Sequence, residues 1–416
     1  MRLFFQRCIQ RWLPDLDPRV WILAAGRLLS QVGIGFTLFY APIFFVNQVG
    51  LSATQVGLGI GIGSVAGMAG RFLGGSMADS PRWGRRPTLL GSTLVSALAD
   101  GVLLLAQGFP LFLAGNLLMG FGVGLYWPAT EAVAADLTVG DQRNEAYAVV
   151  RLADSLGLGV GVVLGGLLIS LTGAYRALFV VDGITFLLFF AIVYVAIAET
   201  RPAGNTEKSF FHGWDQALRD TNLMVFALAN VGFTAYLAQV QSTLPVYLNR
   251  FVPTASGQGI SERTLSLLFT AHVVLAALTQ LPMARWLKRF RPVQGLMISA
   301  LFWGLGFCLV GVARVAPGAY LWAGAALGMM ALGMVAYTPI ASALVVAMAP
   351  DALRGVYLSV NSMCWAVGYL VGPPLGGWAL DQGTVMAQGF WLVLAITVVP
   401  ALGVLAWLDR RLRDMV

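Results

Sequence analysis

Long apolar runs separated by short polar turns set the pattern of this chain, and the length of those runs decides its class. A helix needs about 20 mostly apolar residues to cross a bilayer. Twelve segments of that kind can be drawn, roughly at 19–47, 52–79, 86–107, 110–137, 144–172, 175–197, 221–249, 261–287, 292–314, 317–348, 353–381 and 385–408. The pattern predicts an all-α membrane protein with twelve transmembrane helices. The one substantial polar interruption, residues 199–220, falls between the sixth and seventh segments. It divides the chain into an N-terminal six-helix bundle at 1–198, a linker at 199–220 and a C-terminal six-helix bundle at 221–416.

An internal repeat supports the division. At an offset of 211 residues Tyr126 meets Tyr337, Pro128 meets Pro339, Gly157 meets Gly368, Gly161 meets Gly372, and Gly165-Gly166 meets Gly376-Gly377. Near the start of each half Gly35-Phe36-Thr37 reappears as Gly232-Phe233-Thr234, at a shorter offset of 197 because the loops differ. Two repeats of this kind pack as pseudo-symmetric bundles about an axis along the membrane normal and place a substrate site where they meet.

Composition agrees with the pattern and adds orientation. Charged residues make up 11% of the 416, where soluble domains carry about a quarter. Of the 26 Lys and Arg residues, nineteen fall at one end of the segments, four at the other and three (Arg27, Arg71, Arg151) inside them. The basic-rich end is the cytoplasmic one, so both termini are expected in the cytoplasm of a cell's inner or plasma membrane. The net charge of +7 sits in short loops and reflects orientation, so no nucleic-acid partner is expected. Three cysteines give no disulfide framework, and no nucleophile-base pair, phosphate loop or metal-ligand cluster is visible. No enzyme, cofactor or metal is expected.

The most informative loop is Arg71 to Leu90, RFLGGSMADSPRWGRRPTLL, which holds Gly75, Asp79, Gly84, Arg85 and Arg86. Glycines there permit close backbone approach, and the carboxylate and guanidiniums form pairs that break and re-form. The loop resembles the G-x-x-x-D-x-x-G-R-[KR] signature of the major facilitator superfamily, although Gly84, Arg85 and Arg86 come two residues later than in that pattern. The resemblance implies a twelve-helix transporter that works by alternating access, with the loop as a conformational latch and Asp136 pairing with Arg85 or Arg86. It further implies that the second and eleventh helices form a gate, for which Gly368, Gly372, Pro373, Gly376 and Gly377 supply the small-residue ladder.

Gly368-x-x-x-Gly372-Pro373-x-x-Gly376-Gly377 is similar to the glycine-proline signature of drug/proton antiporters, which those relatives carry on the fifth helix. Here the fifth helix has Val162 at the proline position. The fourth helix carries Asn116 where efflux relatives usually place an arginine, and an amide cannot replace a guanidinium in proton transfer.

Charged groups inside bilayer segments are costly and mark function by default. They are Arg27, Asp100, Glu131, Arg151, Asp154 and Asp182, with His272 in the C-terminal half. The resemblance places the first and fourth helices along the central cavity, so Arg27 with Gln31, and Glu131 with Trp127, are the expected coupling or substrate groups, a static ion pair being the alternative. Arg151 with Asp154, Asp100 and Asp182 read as structural. Tyr236, Gln239, Tyr337, Asn361 and Trp365 offer aromatic faces and amides for weakly selective binding. The function expected is proton-coupled export of small organic or amphipathic compounds by a monomer. Uptake of a sugar or other metabolite, or a non-transporting sensor or assembly factor on the same scaffold, is the alternative.

Overall fold

The computed structural model describes residues 16–80, 82–138, 142–200, 214–254, 257, 259–350 and 353–413. Among them lie twelve long helices and no strand. They are α1 (Pro18–Asn47, interrupted at Phe39), α2 (Ala53–Asp79), α3 (Arg85–Leu105), α4 (Phe109–Asp136), α5 (Gln142–Thr172) and α6 (Arg176–Ala196) in the first half. The second half has α7 (Thr221–Gln241, continued by Thr243–Arg250), α8 (Glu262–Leu287), α9 (Pro292–Val315), α10 (Ala319–Met348), α11 (Arg354–Asp381) and α12 (Thr384–Arg413). Each coincides with one of the twelve segments expected from the sequence.

Ten of the twelve are long and apolar enough to cross a membrane by composition alone, the exceptions being α8 and α11. The exceptions are explained by their neighbours. Helix α8 packs on α5 and α10, and α11 on α2 and α7, so each meets protein on two sides and tolerates the buried His272 and Asn361 and a run of glycines.

Helix packing separates into two bundles with the same plan. In the first, α1 packs on α5 and α6, α3 on α4 and α6, and α2 on α4; in the second, α7 packs on α11 and α12, α9 on α10 and α12, and α8 on α10. The bundles meet along two crossings, α2 with α11 and α5 with α8, which exchange under the same symmetry.

Glycine stripes explain how closely these helices approach. A side chain added at Gly157, Gly161 or Gly165 of α5 would run into α1, and one at Gly368, Gly372 or Gly376 of α11 would run into α7. The stripe Gly59, Gly63, Gly67, Gly70 and Gly74 of α2 faces α4 in the same way. Residues four apart share one face of a helix, so each ladder is a seam inside a bundle. This corrects the expectation that Gly368, Gly372 and Gly376 line the gate between bundles, whereas Pro373 and Gly377 of the same expected set do face α2. The crossing positions lie one or two residues off the stripe: Gly166 faces Ser266 of α8, while Gly377 faces the Ala53 backbone, and Gly57 and Gly61 of α2 face Pro373 and Leu370. One residue is a rotation of about 100° in a helix with 3.6 residues per turn, enough to change partner. Pro373 and Pro374 are accommodated inside α11, which runs unbroken to Asp381.

Candidate functional site

The hinge loop is held by a set of bonds centred on the start of α3. Arg85 donates from Nε to Asp136 Oδ2 at 3.2 Å and from Nη1 to the Ala78 carbonyl at 2.5 Å, so the expected pairing of Asp136 with a hinge arginine is present. Thr200 donates to the same Asp136 oxygen at 3.0 Å. Glu199, at the end of α6, was not anticipated as part of this site. Its carboxylate accepts the backbone N–H groups of Arg85 at 2.9 Å and Arg86 at 3.1 Å, and so supplies the acceptors that the first turn of a helix lacks. Gly84 makes room for it: its φ of 81° suits glycine, and a side chain there would meet the carboxylate. Arg86 donates to the Tyr194 carbonyl at 2.6 Å and stacks over that ring, while Gly75 lies beside Pro128. The Asp79 side chain lies outside the described residues. Every bond named here stays within the first bundle.

The opposite end of the molecule joins the two bundles. Asp381, the last residue of α11, accepts the N–H groups of Ala53 at 2.9 Å and Thr54 at 2.8 Å, and the Thr54 hydroxyl at 2.5 Å. Ser52 and Gln55 close a capping box on the same turn of α2, so a carboxylate from one bundle completes the cap of a helix in the other. Arg250 reaches across to Asn47 at 2.5 Å and to the Val46 carbonyl at 2.8 Å, and Phe39 stacks on Phe269 at 4.4 Å between centroids. Ser64 of α2 donates to the Ala366 carbonyl at 3.0 Å. A cavity of only about 10 Å³ remains between Val46, Ala53, Ser242, Val246 and Gly377. The hydrogen bonds named here tie the two bundles together in this half, and those named around the hinge loop lie within the first bundle.

Midway along the helices, Arg27 is 2% exposed and donates to Asp154 of α5 at 2.5 Å. Its guanidinium lies over the rings of Tyr126, at 4.0 Å, and Trp127, at 4.7 Å. The partner expected for Arg27 was Glu131, and Asp154 was expected to pair with Arg151. The structure instead gives Asp154 to Arg27, because α1 packs directly on α5, with Gln31 beside Gly157 at that contact. Glu131 is exposed, one turn beyond Trp127. The Arg151 side chain lies outside the described residues.

The second bundle has a neutral counterpart in the same place. Tyr337, the repeat equivalent of Tyr126, donates to Asn230 Oδ1 at 2.5 Å, and Asn230 donates to Asn361 Oδ1 at 2.8 Å. Trp365, the repeat equivalent of Asp154, lies 6.3 Å from the Tyr337 ring. Asn230 was missed in the sequence because a lone amide in an apolar run carries no spacing signal.

Three expected cavity residues point elsewhere. Tyr236 bonds to Thr397 of α12 at 2.7 Å and packs on Trp303 and Phe307, inside the second bundle. Gln239 donates to the Gly372 carbonyl at 2.7 Å, tying α7 to α11. His272 is 5% exposed and its Nδ1 meets the Leu327 carbonyl of α10 at 2.8 Å. Apolar helices leave buried polar groups to find partners on the nearest helix, and for these three that helix belongs to their own bundle. Asn116 likewise folds back onto the Phe112 carbonyl at 2.8 Å, against α2.

Two six-helix bundles, closed over one end and linked by symmetric crossings, define a membrane transporter, and the chain belongs to the Major Facilitator Superfamily. The model of that family matches residues 23–253 and 251–415. The chain is 26% identical over 390 residues to the multidrug resistance protein MdtH of Aeromonas hydrophila, covering 92% of this chain and 93% of that protein. It is 24% identical over 391 residues to MdtH of Yersinia enterocolitica, covering 93% of each. Among solved structures it is similar to the nucleoside transporter NupG, in its D323A mutant, with a TM-score of 0.80 and 14% identity over 94% of this chain and 99% of that one. An auto-inhibited POT family peptide transporter gives a TM-score of 0.79 at 14% identity, over 95% and 97%. The likeness to these structures is one of fold. The protein is a transporter and not an enzyme.

Proposed function

We propose that this protein exports small organic, amphipathic compounds across the inner membrane in exchange for protons, by alternating access between its two bundles. The observation that carries the reading is where the bundles are tied together: Asp381 and Arg250 bridge them at one end, beside the α2–α11 and α5–α8 crossings, while the described bonds of Arg85 at the other end lie within the first bundle. The basic-rich end is the hinge-loop end, so this is a cytoplasm-facing state with both termini in the cytoplasm. Relatives named multidrug resistance proteins support the substrate class.

The bundles are taken as 1–198 and 221–416, joined by 199–220 and acting as a monomer. The exposed Glu131 beside Trp127 suits an amphipathic cation, the acid meeting the charge and the indole the apolar body. Trp365, with Tyr337 behind it, offers an aromatic face from the other bundle. The Arg27–Asp154 pair is the fixed charge behind this site, and its partners stiffen α1 against α4 and α5. A substrate screen in proteoliposomes, with and without an imposed pH gradient, tests the reading. Gradient-dependent flux of cationic or neutral amphiphiles supports it, and flux of sugars alone, or none in the presence of any compound, refutes it.

A further inference from the structure

Asp100 of α3 and Asp182 of α6 read as unrelated structural acids in the sequence, yet they meet in the first bundle. They are 1% and 0% exposed. The Cβ of Asp100 lies 3.4 Å from where a side chain at Gly183 would begin, so it rests against the helix turn that carries Asp182. Gly33 of α1 leaves the space that the Asp182 carboxylate fills, and Thr37 of α1 donates to Asp182 Oδ2 at 3.1 Å. Both oxygens of Asp100 and the Oδ1 of Asp182 have no hydrogen-bond partner.

No cation among the described residues faces this pair. The arginines on the surrounding helices are engaged elsewhere: Arg27 by Asp154, Arg85 by Asp136, and Arg176 by the carbonyls of Leu104 and Ala106. The acids of α4, the other helix packed on α3, are also elsewhere, Glu131 exposed and Asp136 on Arg85. Two unpaired carboxylates cannot both stay ionised in an apolar bundle, since each charge loses its hydration and repels the other. A single proton resolves both problems. It lowers the charge of the pair from −2 to −1, as in other carboxylate pairs that share a proton.

We propose that Asp100 and Asp182 hold one proton between them and form a second protonatable site of the transporter, away from the central cavity, whose proton is taken up and released as α1 changes its hold on α6. This rests on the proton-coupled reading of the transport cycle. The contact with α1 is what makes release possible, because Thr37 and Gly33 belong to a helix that also packs on α5 at Gly161, and α5 forms one of the two crossings between bundles.

Infrared difference spectra of the reconstituted wild-type protein, recorded against pH without substrate, test the site apart from transport. The expected result is a protonated-carboxyl C=O band at neutral pH that is lost in Asp100→Asn, in Asp182→Asn and in the double variant. Thr37→Val, which removes only the hydroxyl, is expected to move the pH midpoint of the band upward. A band missing from the wild type, kept in the double variant, unmoved in Thr37→Val, or displaced by sodium at fixed pH overturns the assignment, the last in favour of a cation site. Transport then separates the two claims. Accumulation driven by a pH gradient should fall at least tenfold in each aspartate variant while downhill exchange continues, and variants that lose the band yet accumulate normally overturn the role in coupling. A wild type indifferent to the gradient refutes proton coupling itself, leaving the spectra to decide whether the pair holds a proton.

Discussion

Asp381→Asn should weaken the closed end by an amount that follows from its bonds. The carboxylate accepts from two backbone N–H groups and one hydroxyl of the first turn of α2, all in the other bundle. Hydrogen bonds to a charged group are worth about 1.5–3 kcal/mol when buried. Asp381 is exposed and Thr54 half-buried, so screening reduces the total for the latch to about 1–2 kcal/mol. Membrane insertion and the capping box of Ser52 and Gln55 are unaffected, because the three hydrogen bonds that are weakened all run to the other bundle. The population opened at this end should then rise about 5–30-fold. Ser242 reports it directly: it is 5% exposed and lines the small cavity under the seal. In a background with the native cysteines replaced, Ser242→Cys should react with an impermeant maleimide at a rate proportional to the open population. A labelling rate unchanged by Asp381→Asn would refute the reasoning that this carboxylate holds the bundles together.

Other consequences follow from the same geometry. Asp154→Asn leaves Arg27 buried without its counter-charge, which should cost about 3–5 kcal/mol in thermal unfolding of the purified protein; a change below 1 kcal/mol would show that Arg27 has an equivalent partner. Glu199→Gln removes the charge at the α3 N-terminus and should lower stability by about 1 kcal/mol and slow transport, read by unfolding and by flux together. Gly377→Val places a branched side chain against the Ala53 backbone and should abolish transport without preventing insertion, whereas Gly389→Ala, with open space around it, should be silent in the same flux assay.

Much of this architecture is legible in the sequence because it rests on periodicity. Apolar run lengths give the twelve helices, and the offset of 211 residues pairs Gly166 with Gly377, which the structure places at symmetric crossings. The hinge pairing of Arg85 with Asp136 is also legible, since loop charges between packed helices have few other partners. What a stripe faces is not legible. Four-residue spacing shows that a helix has a small face but carries no information on which neighbour meets it, so Gly368, Gly372 and Gly376 read like gate residues yet meet α7, while Pro373 and Gly377 do meet α2. Pairs between distant helices are hidden for the same reason: Arg27 with Asp154 spans 127 residues, and neither acid of the Asp100–Asp182 pair has a partner in its own helix. Asp381 escapes notice because an acid at the end of a helix reads as solvated, and only the docking of α2 reveals it as a cap.

Two bundles that rock about a site between them should move in opposite senses at the two ends of the molecule, and spin labels at both ends of one molecule test this. One pair, at Gln48 and Arg263, spans the closed end between the bundles; a second, at Trp83 and Arg289, spans the hinge-loop end. Addition of a transported amphiphile with a pH gradient should lengthen the first distance and shorten the second in the same population of molecules. Distances that change together, or a change at one end alone, would contradict alternating access between the bundles.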